Sequence, residues 1–358
     1  MPKQQLRIEY LRLLERFHLT LPKCSNGERD DADIQIMLSE MDSAAKIEDT
    51  ASIVPNLSAD ELRSLRTGTE LQDVLDRYSE EIEQSMRREV PVYVAEFPTG
   101  EFNAMAYPVP AGTLILVNTG LMMLVYRVCK IVSQSINIAI MDAAGNPKHD
   151  PPFQETPYEL VVEQLAECVL SYLHYGNPWT TPRNSAMSPA KSVIFGGIVQ
   201  ATEKFVLLHE YGHFFAGHFN TPKKMIHKTH VGAVNVIAKS YDEETRADLT
   251  ACLLLVPSTP KVIDDHPKLF ALHASVTGPF LFFALDELIS KVTVEVLNLD
   301  CIPISPTHPP SSKRAQIVHY ALKQHMPETA FDFAQSFLEH FEKLANDVVL
   351  FLRSKIKR

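Results

Sequence analysis

The stretch HEYGHFFAGH, residues 209–218, puts three histidines and a glutamate within ten residues of an otherwise apolar segment. On a helix, residues four apart share a face, so His209 and His213 can offer two imidazoles to one metal ion. Glu210 lies one residue round from the first histidine, where its carboxylate can reach a water on the metal without being a ligand. Two ligands and a general base are the mechanical content of HExxH. The motif is short, and a chain with 14 histidines can produce it by chance, so the source of the third ligand decides its meaning.

A metzincin would need a histidine six residues after His213, but that position is Phe219, and His218 is one residue short. The gluzincin arrangement takes a glutamate from a second helix, with an aspartate one turn later. Glu244-Thr-Arg-Ala-Asp248 supplies both on one helix face, so one carboxylate can bind metal while the other accepts a proton from an imidazole. Glu243 competes for the ligand position, but it would face about a quarter turn away, and Glu244 is preferred.

These residues need helices to hold them. AKSVIFGGIVQATEKFVLLHEYGHFFAGHF predicts a long apolar helix with the motif on its C-terminal turns, and DEETRADLTACLLLV (242–256) predicts the partner helix. Between them, 220–240 is polar and locally basic, with Lys223, Lys224, His227, Lys228 and His230. It reads as a solvated surface loop near the cleft, with a mobile lid or a contact for an acidic substrate as its functional interpretations. PVYVAEF and GTLILVN carry β-branched and aromatic runs bounded by Pro98-Thr-Gly100 and Pro108–Gly112, which predicts strands, followed by a helix from about Gly120. Residues 1–90 are helical and amphipathic in pattern, with a capping-box signature at Ser58–Glu61, and 327–358 is a long amphipathic helix. The polar, proline-rich stretches 142–157 and 175–189 read as surface loops.

At 358 residues the chain can bury a sizeable core, and its 22% charged residues are ordinary for a globular protein, which argues against disorder. A net charge of -10 leaves no basic surplus to neutralise phosphates, so nucleic acid is not an expected partner. Five scattered cysteines without CxxC spacing suit free thiols in a reducing compartment, and a cytoplasmic location is expected. The N-terminal residues lack a continuous apolar run of signal-peptide type. The apolar stretches 113–132 and 270–288 are each interrupted by polar residues or proline, so neither gives a clear membrane span, and both are expected as buried elements.

Four segments, in order, resemble the gluzincin peptidases of the CAAX prenyl endopeptidase type, a family that also holds the bacterial heat-shock membrane protease and Oma-type mitochondrial proteases. They are FNAMAYPVPAGTLILVNTGLM (102–122), HEYGHFFAGH, ETRADLTA (244–251) and PTHPPSSKR (306–314). The resemblance implies zinc, one per chain, held by His209, His213 and Glu244, with Glu210 as base and Asp248 behind the ligands. It further implies that His308 stabilises the oxyanion, that Arg314 supports that site, and that the strand around Asn103 pairs with an extended substrate. The departure is the lack of clear membrane spans, which many members have.

The expected fold is α+β and predominantly helical: a zincin-like core with a small sheet over the HExxH helix, plus N- and C-terminal helical additions. The expected division is a helical extension over 1–70, a metallopeptidase domain over 71–325 and a C-terminal amphipathic helix over 326–358. The expected function is zinc-dependent endopeptidase action on a protein or peptide substrate, with the terminal helices as partner surfaces. Two alternatives stand beside it: a metal-stabilised regulatory or binding module without proteolysis, and a toxin-like or stress-response protease with one host target.

Overall fold

The computed structural model describes residues 2–17, 19, 68–86, 90–136, 140–141, 147–148, 156–178, 189–216, 224–229, 232–237, 240–256, 266–300, 308–326 and 328–356. The capping box at 58–61, His218 and Lys223 lie outside them. The described chain is predominantly helical around a small sheet, so the coarse α+β class expected from the sequence is the observed one.

Two helices, α1 (Pro2–Arg16) and α2 (Gly68–Met86), precede strands β1 (Val92–Phe97), β2 (Ala104–Val109) and β3 (Gly112–Asn118). The spatial order is β1-β3-β2, with β1 parallel and β2 antiparallel to β3. Side chains alternate across the sheet. Ala95, Phe97, Leu114 and Leu116 meet Leu6, Tyr10, Leu13 and Leu14 of α1 on one face, while Val92, Val94, Ile115 and Val117 join the main helical core on the other. The four α1 residues recur at helical spacing, and the Tyr10 hydroxyl donates to the Glu96 carbonyl at 2.6 Å.

β2 is an edge strand, and its register explains Pro108, which the sequence reading took as a strand boundary. The Asn118 N–H donates to the Asn103 carbonyl, so odd-numbered residues of β2 turn their backbone groups toward β3. Even-numbered ones face the free edge, where a proline costs no ladder bond.

The remaining elements are α3 (Thr119–Ser135), the short strands β4 (Ile140–Met141) and β5 (Pro147–Lys148), α4 (Tyr158–Tyr175), α5 (Pro189–Phe215), β6 (Lys224–Thr229), β7 (Gly232–Ile237), α6 (Tyr241–Leu255), α7 (His266–Leu297), α8 (Ser311–Lys323) and α9 (Thr329–Ile356). Within the stretch expected as a loop, the described residues 224–229 and 232–237 are strands. It carries the antiparallel hairpin β6–β7, paired from Lys224↔Ile237 to Thr229↔Gly232, and β7 runs beside β2. Ile226, Val234, Val236 and Ile237 supply β propensity that the lysines concealed in the sequence.

α5 runs through the middle, packed against α3, α6 and α7, and α9 runs along α7. At the α5–α7 crossing, a Cβ on Gly278 would fall 2.7 Å from backbone atoms of Ala201 and Thr202, so only glycine lets the helices approach this closely. The apolar 270–288 stretch is the buried middle of α7. Among the described residues no helix is long and apolar enough to cross a membrane. Cys129, Cys168 and Cys252 are free and buried.

Candidate metal centre

The C-terminal turns of α5 bring His209, Glu210 and His213 into the interior, where each is less than one-tenth exposed. α6 crosses this end of α5, and Gly212 sets how closely. A Cβ at residue 212 would stand 2.8 Å from the Ala247 carbonyl oxygen and 3.0 Å from its Cα. Backbone-to-backbone contact at Gly212 and Ala247 is what lets the short side chains of Glu244 and Asp248 reach the histidines.

The start of α6 decides which glutamate turns inward. Ser240 caps the helix: its hydroxyl oxygen accepts from the Glu243 N–H at 3.2 Å, and its own N–H donates to the Glu243 carboxylate at 2.6 Å. This reciprocal capping box ties Glu243 to the helix terminus. Glu244, the next residue, is fully buried and faces the histidines.

The donor atoms converge on one point. His209 Nε2 and His213 Nε2 are 3.2 Å apart, His213 Nε2 is 3.3 Å from Glu244 Oε1, and His209 Nε2 is 3.4 Å from Glu244 Oε2. Three ligands at tetrahedral positions around zinc, with bonds of about 2.0–2.1 Å, would be separated by about 3.3–3.4 Å. The two imidazoles and the carboxylate, which faces one histidine with each of its oxygens, are thus of a type and spacing that could hold a metal ion. Glu210 also belongs to the cluster, since a donor atom from each of His209, Glu210 and His213 lies within 4.8 Å of the others. Its Oε1 is 3.9 Å from His209 Nε2, farther than Glu244, which favours Glu244 as third ligand and leaves Glu210 beside the ligand set.

Asp248 and Arg314 lie behind the histidines. His209 Nδ1 is 2.8 Å from Asp248 Oδ1. An ionised carboxylate only accepts, so Nδ1 carries a proton toward Asp248 and Nε2 is the nitrogen that faces the ligand cluster. Arg314, on the first turn of α8, clamps the same carboxylate through Nε at 2.8 Å and Nη2 at 2.7 Å, and its guanidinium lies over the Phe283 ring at 4.9 Å. Burial alone would raise the Asp248 pKa, but Arg314 and then His209 outweigh it and hold the carboxyl below its usual range. For His209 burial again opposes the charged form, yet Asp248 and Glu244 lift the metal-free imidazole to about 9.

The other expected residues have distinct places. His308, just before α8, has Nε2 3.3 Å from Glu244 Oε2 and is partly exposed, so it stands at the mouth of the cluster. Arg314 contacts Asp248 closely and approaches Glu244 only to 3.9 Å. The Asn103 carbonyl is taken by β3, so the backbone groups of Ala104 and Ala106 are among those that face away from β3. β2 in turn lies against α5.

Sequence reasoning missed three supports: Gly212, the Ser240–Glu243 cap, and a polar seam behind α5. In that seam the Tyr78 hydroxyl donates to Glu203 at 3.1 Å, and the hydroxyls of Ser79 and Tyr211 are 2.8 Å apart. The glycine inside HEYGH and the Ser-x-x-Glu pattern before ETRAD were the available signals; the seam joins residues 125 and 132 positions apart and left no local one. No family model matches the chain, and no curated protein or solved structure matches it either.

Proposed function

We propose that this chain is a zinc-dependent endopeptidase with a gluzincin-type centre. The observation that carries the reading is the set of three closely spaced donor groups, His209 Nε2, His213 Nε2 and the Glu244 carboxylate, with a second acid, Glu210, adjacent but outside it. Zinc bound there would acidify a water molecule and polarise the scissile carbonyl.

The protein's own groups perform the remaining steps. The Glu210 carboxylate takes a proton from the attacking water and delivers it to the departing amine nitrogen as the C–N bond breaks. Asp248 keeps His209 in the tautomer that presents Nε2, and Arg314 holds Asp248 ionised. His308, at the mouth, donates from its ring to the carbonyl oxygen as that oxygen gains charge. The substrate lies extended along the edge of β2 that faces away from β3, pairing with the backbone of Ala104 and Ala106.

Metal content and peptide hydrolysis of purified wild type and Glu210→Gln test this reading. The expected result is one zinc per chain in both proteins, with hydrolysis lowered about 10²–10⁴-fold in the variant. Equal hydrolysis by the two, or no zinc in the wild type, would remove the peptidase reading.

A further inference from the structure

We propose that Phe102 and Phe282 form a subsite that receives an aromatic side chain of the peptide next to the bond that is cut; this rests on the peptidase reading above. The two rings are stacked, with centroids 5.3 Å apart and planes 15° from parallel. Phe205 links them to the metal centre, its ring lying 5.7 Å from Phe282 and 6.4 Å from His209. Phe205, Phe283 and Tyr172 are buried, but Phe102 and Phe282 keep part of their surface open to solvent. A partly exposed stacked pair, joined to the candidate metal centre by a buried ring, presents a hydrophobic face that a substrate side chain would meet.

Its place in the chain fits that use. Phe102 stands two residues before Ala104, the first residue of β2 with backbone groups on the free edge. A peptide lying along that edge toward the histidines passes Phe102 near the reacting bond. Side chains leave an extended peptide alternately to its two sides, so one of those flanking the bond is directed to the Phe102–Phe282 stack.

The floor of the subsite is a neutral phenol. Tyr172 meets Phe102 edge to face, 6.4 Å between centroids, and its buried hydroxyl has no hydrogen-bond partner among the described residues. Burial, and after it the carboxylates of Glu101 and Asp286, push the Tyr172 phenol well above its usual range, so it stays neutral and available as a donor. The Ser311 hydroxyl donates to Asp286, and the charge of that carboxylate also serves Arg314. An aromatic ring gains offset or edge-to-face contacts on such a surface that an aliphatic chain does not.

The test uses the zinc-loaded full chain and a peptide set identical except for Phe, Tyr, Leu, Lys or Ala flanking one bond. Expected are cleavage beside Phe or Tyr, and a fall of about tenfold or more in the ratio of kcat/KM for the Phe peptide over the Ala peptide in Phe282→Ala and in the milder Phe282→Leu and Phe102→Leu. Zinc content, circular dichroism, and fluorescence-anisotropy binding of the same peptides to zinc-loaded Glu210→Gln give readouts independent of turnover, and binding should follow the same order. Cleavage without aromatic preference, a preference for Lys, or an unchanged ratio in all three variants overturns the subsite alone. No cleavage of any peptide by the zinc-loaded wild type overturns the peptidase reading and the subsite with it.

Discussion

Helix α5 carries buried polar residues on two sides, and the sides solve the burial problem differently. Behind it, α2 supplies partners: Tyr78 for Glu203 and Ser79 for Tyr211, with Lys204 and Glu81 closing the rim as an ion pair. In front, two imidazoles and the Glu244 carboxylate all aim at one another across 3.2–3.4 Å. Pairwise satisfaction fixes a helix in place. Convergence of several lone pairs on one point is the arrangement a cation requires, because each donor gains most when a single positive charge lies among them.

The comparison can be broken by variants on each side. The largest effect is expected from His213→Ala, which removes one of the converging donors. Zinc measured by mass spectrometry should fall from one per chain to a trace, a loss beyond the 10–100-fold typical of outer-shell partners. Full zinc in that variant would equate the front of the helix with the back.

Gly212→Ala comes next. The added Cβ meets Ala247 backbone rather than a flexible side chain, so α6 must move away, at about 1–3 kcal/mol. Urea denaturation should show the stability loss, and zinc titration should show weaker binding, since Glu244 and Asp248 move with α6. A stable variant with unaltered zinc affinity would mean that the crossing does not set the donor spacing.

The pH dependence of zinc uptake is a smaller, graded effect. In the metal-free protein the His209 pKa is raised from 6.5 to about 9: burial opposes the shift and the carboxylates prevail. The extra stability of the metal-free fold is therefore complete below the unfolded value of 6.5 and is lost as pH rises through about 9. Zinc must displace that proton, so its affinity should rise by up to about tenfold per pH unit toward 9. Calorimetric titration in buffers of different ionisation heat counts the released proton, and a value of zero would contradict the assignment.

Tyr211→Phe should give the smallest change. It removes one neutral hydrogen bond, the contact with Ser79, at a cost of about 1 kcal/mol. Zinc content should stay at one per chain, and a marked loss of zinc would show that the seam positions the ligands as well as the helix.

Much of this was legible along the chain, for reasons tied to particular residues. His209 and His213, four apart, and Glu244 and Asp248, four apart, announce two faces by helical period alone, and the β-branched runs announced β1 and β3. The β6–β7 hairpin was obscured because lysines on a short strand resemble a loop. β2 was obscured because a proline within an edge strand resembles a strand end. Phe102 and Phe282 are 180 residues apart, so their stacking had no signature in either neighbourhood.

The sequence by itself determined the chemistry on offer: two imidazoles, a flanking base and an acidic pair, each placed on a helix face by spacing. Only the tertiary structure decided that these faces meet. It did so through a glycine against an alanine backbone, a cap that ties down Glu243, and an arginine from α8 closing on Asp248. Helical periodicity is a local property, readable within a few residues, whereas the distance between two helices depends on side-chain volume at their crossing, which is fixed only when both are packed.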